Sequence, residues 1–174
     1  GRALNLRPGE GRTVVVMGGF LLLVTATTTV LSATTSGLFL SVYPGIYIPH
    51  VIIAAAVVSA AASILFAGFI EGTARRSLAA RLTAGVVVAL LASRAAYHVN
   101  PRWSLGVYLL LSAAQVLMLS HAWDYASDLL TGRQSRRLAP LLGAGASVGT
   151  LIGGASVPFV VSWVGTENLL LIAT

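Results

Sequence analysis

Long uninterrupted runs of apolar residues, separated by short polar segments, make up most of the chain. A helix needs about 20 apolar residues to cross the roughly 30 Å hydrocarbon core of a bilayer. Five runs reach that length and a sixth begins: about 13–40, 50–70, 82–99, 104–122, 138–164 and 167–174 onward, after an amino-terminal tail at 1–12. Runs that do not alternate every second residue favour helices over the strands of a membrane β-barrel. The pattern therefore predicts an all-α, polytopic membrane helix bundle.

Polar segments with turn-forming residues separate the predicted spans. They lie at 41–49, 71–81, 100–103 and 124–137, and a turn at 165–167 precedes the sixth span. Pro49 and Pro140 fall in the first turns of the second and fifth spans, where proline is tolerated. Trp103 and Trp123 bracket the fourth span, about 30 Å apart along a helix, which matches the distance between two interfacial tryptophan belts.

Composition independently excludes a soluble domain. Of 174 residues, 56% are hydrophobic and 9% are charged, and the mean hydropathy is +0.87. A soluble domain carries about 25% charged residues, and a disordered chain needs low hydrophobicity. The chain is therefore expected to lie in lipid.

The basic residues predict the orientation of the bundle. All eleven are Arg, a bias that with abundant Ala, Gly and Val is typical of GC-rich bacterial genomes. Nine lie on one side of the predicted bundle, in the tail and in the second and fourth polar segments: Arg2, Arg7, Arg12, Arg75, Arg76, Arg81, Arg133, Arg136 and Arg137. The opposite loops hold only Arg102. The positive-inside rule then predicts a bacterial cytoplasmic (inner) membrane protein with a cytoplasmic N-terminus.

The two ends of the chain suggest a longer polypeptide. The sequence begins at Gly1 without Met and ends in the apolar run 169–174. We therefore expect a fragment, with the remainder of its own chain or other membrane subunits as partners besides the lipid bilayer.

Hydroxyl side chains concentrate on one face of the first span. Thr25, Thr29, Ser32 and Ser36 fall within about 60° of one another at helical spacing. One interpretation is the wall of a transport path, completed by Gln115 on the fourth span. The other is helix packing, in which Ser and Thr bond back to carbonyls of their own helix.

The fifth span carries a ridge of small residues. Gly145, Gly149 and Gly153 follow one another at intervals of four, a doubled GxxxG pattern that lets another helix backbone lie close. The pattern indicates either tight helix packing or a surface on which helices slide during a conformational change.

Arg94 is the one Arg within an apolar span, where a charge is costly and often functional. It lies four residues before His98, so one interpretation is that it snorkels to the outer interface. The other is a place on the transport path, contacting an anion or forming an ion pair.

Charged residues cluster between the fourth and fifth spans. Asp124 and Asp128 are one helical turn apart, and Arg133, Arg136 and Arg137 follow them. This arrangement predicts either a cytoplasmic salt-bridge gate between helices or a solvated loop. Like charges four apart repel on an isolated helix, which favours a cationic partner.

No catalytic or cofactor motif is present. The chain has no Cys, and His50, His98 and His121 lie in different segments, so we expect no metal site and no cofactor. Phosphate-binding loops, nucleophile elbows and paired catalytic carboxylates are absent, and nothing indicates an enzyme. The Arg residues are scattered between spans, which argues against a nucleic-acid partner.

The stretch that runs from Trp123 through Arg133-Gln134-Ser135-Arg136-Arg137-Leu138 to Gly153-Gly154 resembles the ATP/ADP translocase family, the nucleotide exchange transporters of plastids and intracellular bacteria. The resemblance covers about 18–171 and is most specific over 123–154. The first helix also looks similar, with Leu38-Phe39-Leu40 and the later Ile48-Pro49. The residues that carry the specific part are Trp123, Asp128, Arg133-Gln134-Ser135-Arg136-Arg137-Leu138, Pro140, Gly143-Ala144-Gly145-Ala146-Ser147-Val148-Gly149 and Gly153-Gly154.

The resemblance implies the major facilitator architecture of two six-helix halves with alternating access. This chain would be most of the amino-terminal half of a secondary transporter, with a small anionic solute as its substrate. The family commonly has a charged pair in the first helix, where this chain has Thr35-Ser36. That difference leaves open a different solute, or a non-transporting structural or accessory subunit of a larger membrane complex. A membrane anchor for a soluble sensor domain is a third alternative.

Overall fold

A computed structural model describes residues 10–70 and 75–164 of the chain, and side chains over 10–68 and 81–162. Its five α-helices are α1 (Glu10–Leu40), α2 (Ile48–Ile70), α3 (Arg75–Val99), α4 (Ser104–Asp128) and α5 (Gly132–Val164). Each contains a stretch long and apolar enough to cross a membrane, and the described residues include no strand. The predicted all-α membrane helix bundle is confirmed. The predicted sixth span, the turn at 165–167 and most of the tail lie outside the described residues.

Three helices extend beyond their predicted spans by six residues or more. α3 begins at Arg75, α4 continues to Asp128 and α5 begins at Gly132. The prediction of a polar loop over 124–137 was therefore wrong, because only 129–131 separate the two helices. The prediction of a loop over 71–81 was wrong from residue 75 onward.

Buried alanines explain the additional length of α4. Ala122 and Ala126 are 2% and 1% exposed and pack in one cluster with Met17 and Leu21 of α1. Asp124 is exposed. The helix therefore continues as an amphipathic segment after the fully apolar run ends, which a count of apolar residues does not detect.

Two short turns lie together at one end of the bundle. α1 ends at Leu40, and the amide of Tyr43 donates to the carbonyl of Phe39 at 2.9 Å before Pro44. In the other turn the Asn100 side chain accepts a hydrogen bond from the Arg102 amide at 2.9 Å. The Tyr43 hydroxyl also donates to the Arg102 carbonyl at 3.0 Å and joins the turns directly. The two segments predicted to share a side of the membrane are thus neighbours.

α1 and α4 form the centre of the bundle. α1 packs along both α4 and α5, while the other faces of α4 contact α2 and α3. Two apolar clusters lie along this pair. One contains Met17, Leu21, Val24, Ala122, Ala126 and Leu142, and the other contains Leu31, Leu38, Leu90, Val107 and Leu111.

The glycine ridge of α5 lies directly against the backbone of α1. A Cβ atom added at Gly145 would be 2.9 Å from the Gly18 carbonyl oxygen, and one at Gly153 would be 2.6 Å from that of Ala26. At Gly149 the added atom would overlap the Leu22 carbonyl and the Thr25 hydroxyl. No side chain fits between the two helices along this ridge, and the small residues are what permit the contact.

We expect Gly149→Ala to destabilise the protein by about 1–3 kcal/mol, because the new methyl group must push two backbones apart. Gly143→Ala is the matched control on the same helix, since a Cβ there meets nothing within 4 Å. The control should be neutral or more stable by up to about 1 kcal/mol, because Ala is the better helix former.

The measurement is the free energy of unfolding of both variants, from circular dichroism during titration of the purified protein with dodecyl sulfate in mixed micelles. Equal effects of the two substitutions would contradict the direct backbone contact.

Candidate functional site

A groove of about 470 Å³ lies between α2 and α4. Small residues on α2 create it, because positions four apart on one helix face leave the space empty. The volume falls within the roughly 300–1,000 Å³ typical of small-molecule sites. Its lining residues are Ala55, Ala56, Ser59, Ala60 and Ser63 from α2 and Ser112, Gln115 and Val116 from α4.

The groove lies near the middle of both helices. Ser59 is at the midpoint of α2, which runs from Ile48 to Ile70. On α4, Ser112 and Gln115 follow Trp103 by nine and twelve residues, which is about 14 and 18 Å along a helix axis. In a bilayer of roughly 30 Å hydrocarbon thickness, these polar side chains lie near the midplane.

The hydroxyls of Ser63 and Ser112 are satisfied within their own helices. Ser63 Oγ donates to the Ser59 carbonyl at 2.8 Å, and Ser112 Oγ donates to the Tyr108 carbonyl at 2.7 Å. Such back-bonding is the usual way for a hydroxyl to lie inside an apolar helix. The protons of these two hydroxyls are therefore in use, and only their oxygen lone pairs remain for a ligand.

Ser59 and Gln115 differ from them. Ser59 is only 6% exposed and Gln115 is half-buried. Over 10–70 and 75–164, neither the Ser59 hydroxyl nor the Gln115 amide group has a hydrogen-bond partner. The groove therefore holds one hydroxyl and one amide with hydrogen-bonding capacity available to an occupant.

Two hydroxyl oxygens within the described part of the chain are fully buried and lack partners, those of Ser93 and Ser104. They are 2% and 0% exposed and do not line the groove. Because both are sealed inside the bundle, they offer nothing that an incoming solute can reach.

Of the residues predicted for a transport path, Gln115 lines this groove and the other five do not. The Thr25 hydroxyl is buried between α1 and α5, 2.8 Å from the carbonyl oxygens of both Leu21 and Ala146. It has one proton and donates to one of the two at a time. Both carbonyls belong to helix backbones, which agrees with the interpretation that the hydroxyls of α1 serve helix packing.

The remaining path residues are dispersed. Thr29 donates to the Thr25 carbonyl at 2.7 Å, within its own helix. Ser32 is exposed on α1, Ser36 is half-buried there, and Arg94 is half-buried on α3. The structure therefore does not assemble the α1 stripe and Gln115 into one site.

The predicted gate residues lie at the adjoining ends of α4 and α5. Asp124, Asp128, Arg133 and Arg136 are exposed. Arg137 is less exposed, and its Nη2 forms an ion pair with both carboxylate oxygens of Glu10. A hydrogen bond between two charged groups is roughly twice as strong as one between neutral groups. One predicted gate residue thus joins α5 to the first residue of α1.

Gln134 completes this contact, which we call the end clamp (Glu10, Gln134 and Arg137). Its Nε2 donates to Glu10 Oε1 at 3.3 Å, and its Oε1 accepts from the Thr131 amide at 3.0 Å. The second bond is half of a capping box at the start of α5. The Gln134 side chain therefore caps the start of α5 and also contacts the first residue of α1.

The end clamp and most of the groove residues are not among those predicted from the sequence. Glu10 was assigned to the tail, although an acidic residue is typical of the first turn of a helix. The Thr131-x-x-Gln134 spacing is a recognisable capping signal. For the groove, Ala55, Ser59 and Ser63 repeat at intervals of four and match the small-residue pattern that was noticed only on α5.

Comparison with protein-family models, with curated proteins and with solved structures finds no match. The resemblance to the ATP/ADP translocase family therefore stays a prediction.

We expect Arg137→Met to destabilise the protein by about 1–3 kcal/mol, because it removes the Arg137 cation from the buried Glu10 carboxylate. The neighbouring Arg136→Met is the matched control. Arg136 is exposed, and its loss should change stability by no more than about 0.5 kcal/mol.

A double-mutant cycle with Glu10→Gln isolates the pair. The two substitutions together should cost less than the sum of their separate effects, by about 1 kcal/mol or more. Additive effects, or an Arg136→Met variant as unstable as Arg137→Met, would exclude a stabilising clamp.

Proposed function

We propose that this integral membrane protein is one helical half of a secondary transporter of the major facilitator type, related to nucleotide translocases. The observation that carries the proposal is the groove between α2 and α4, with polar side chains near the membrane midplane. Transporter sites typically lie at that depth, where an unsatisfied polar group is costly unless a solute uses it. The resemblance over 123–154 supports the same class of protein.

The contacts of α1 suggest how such a transporter would move. α1 and α5 touch backbone to backbone along the glycine ridge, and the end clamp joins them at one end. Interlocked helices of this kind move as one rigid unit more easily than they slide past one another. The α2–α4 contact instead leaves an open groove. We infer that the α1–α5 pair rocks as a unit, and that α2 changes its distance from α4.

The exposed charges at the adjoining ends of α4 and α5 fit a cytoplasmic gate in this scheme. Asp124, Asp128, Arg133 and Arg136 lie on the predicted cytoplasmic side of a bacterial inner membrane. Charges that pair in one state and separate in the other would contribute to the free-energy difference that coupled transport requires.

Cysteine accessibility tests the proposal directly, because residues 1–174 include no Cys. Ser59→Cys and Gln115→Cys each place a single thiol in the groove. If the groove is on a water-filled path, both thiols should react with a membrane-impermeant methanethiosulfonate in proteoliposomes. The thiolate is the reactive form, and it needs a hydrated environment.

Val57→Cys is the matched control at nearly the same depth of α2. Val57 is 64% exposed on the surface of the bundle and should face lipid, so its thiol should stay unreactive. Unreactive thiols at 59 and 115, with a reactive Arg136→Cys as positive control, would overturn the transport proposal. That result would favour the accessory-subunit alternative, in which a neighbouring helix covers the groove.

A further inference from the structure

The groove between α2 and α4 has a chemical character that bears on its ligand. None of its eight lining residues is charged. The groups that can both donate and accept a hydrogen bond are the hydroxyl of Ser59, a residue more than nine-tenths buried, and the amide of Gln115. The rest of the surface consists of three alanines, Val116, and the hydroxyls of Ser63 and Ser112, whose protons are used within their own helices. The inference below rests on the proposal that this groove is the solute site.

These two groups are neutral and can both donate and accept. A hydroxyl offers one proton and two lone pairs, and an amide offers two protons and a carbonyl oxygen. They match a solute whose own hydroxyl, carbonyl or amide groups also serve both roles. A carboxylate or phosphate can use only the donors and would leave the acceptors unsatisfied.

A charged solute would also find no counter-charge among the described residues that line the groove. Transfer of an ion from water into a low-dielectric site costs several kcal/mol unless an opposite charge meets it. Arg94, the cation within a predicted span, is not among the lining residues. The groove therefore disfavours nucleotides and other anions, in contrast to the anionic solute that the family resemblance implies.

We propose that the groove between α2 and α4 binds an uncharged polar solute, of about the size of a monosaccharide or nucleoside, through Ser59 and Gln115. The volume of about 470 Å³ suits a molecule of that size.

The first test measures the charge of the site without a ligand. Gln115→Cys is labelled with an anionic and a cationic methanethiosulfonate, and each rate is divided by the rate of that reagent with a free thiol. An uncharged groove should give normalised rates equal within about threefold, whereas a cation within about 4 Å should favour the anionic reagent by roughly tenfold or more. Such a preference would overturn the proposal of an uncharged solute. It would not contradict the proposed function, because the groove would still be a water-filled path.

The second test uses matched pairs of probes, glucose with glucose 6-phosphate and uridine with uridine 5′-monophosphate. At least one neutral member should slow labelling of Ser59→Cys, and its phosphorylated partner should not. Adding Gln115→Leu should abolish that protection, while adding Val57→Ala on the lipid-facing side should retain it.

Equal or better protection by a phosphorylated probe, or no protection by either neutral probe, would overturn the solute assignment alone. Complete failure of both thiols to react would overturn the proposed function as well. The two failures are therefore distinguishable.

Discussion

The close contact between the backbones of α1 and α5 is the constraint on which the rest of the structure depends. Three positions of α5 along this contact are glycines. The carbonyls of Gly18, Leu22 and Ala26 occupy the space that side chains at those positions would fill. Because α5 covers this face of α1, other faces of α1 pack on α4. α4 then contacts α2 and α3 with its remaining surface. The position of the groove follows from that order of contacts.

Lipid imposes a second constraint, because a polar group in hydrocarbon needs a partner within the protein. Many hydroxyls of the described residues meet it locally, as Thr34 does by donating to the Val30 carbonyl at 2.8 Å. Ser59 and Gln115 do not meet it and still line an accessible groove. This contrast separates the groove from the hydroxyl stripe of α1, which has the richer sequence pattern but packs against neighbouring helices.

The parts that could be predicted are those encoded in consecutive residues. The five long helices follow from apolar length, and the tight turn after Val99 follows from Asn100 and Pro101. The end of α4 at 128 and the start of α5 at 132 could not be predicted by counting apolar residues, because Ala126 is buried in a cluster with residues of other helices such as Met17 and Leu21. The ion pair of Glu10 could not be predicted either, because its partner Arg137 lies more than a hundred residues away in the chain.

The sequence by itself determined that the chain is a multi-pass helical membrane protein. Apolar content and run length are local properties, and a long apolar helix is stable in the hydrocarbon core of a bilayer. It also showed that α5 carries a face suited to close packing. Only the tertiary structure decided which backbone that face meets, that Arg137 pairs with Glu10, and which polar side chains share a groove. Those outcomes depend on the rotation of each helix about its axis. That rotation is set by contacts between residues far apart in the chain, and hydrophobicity along a nearly uniformly apolar helix does not specify it.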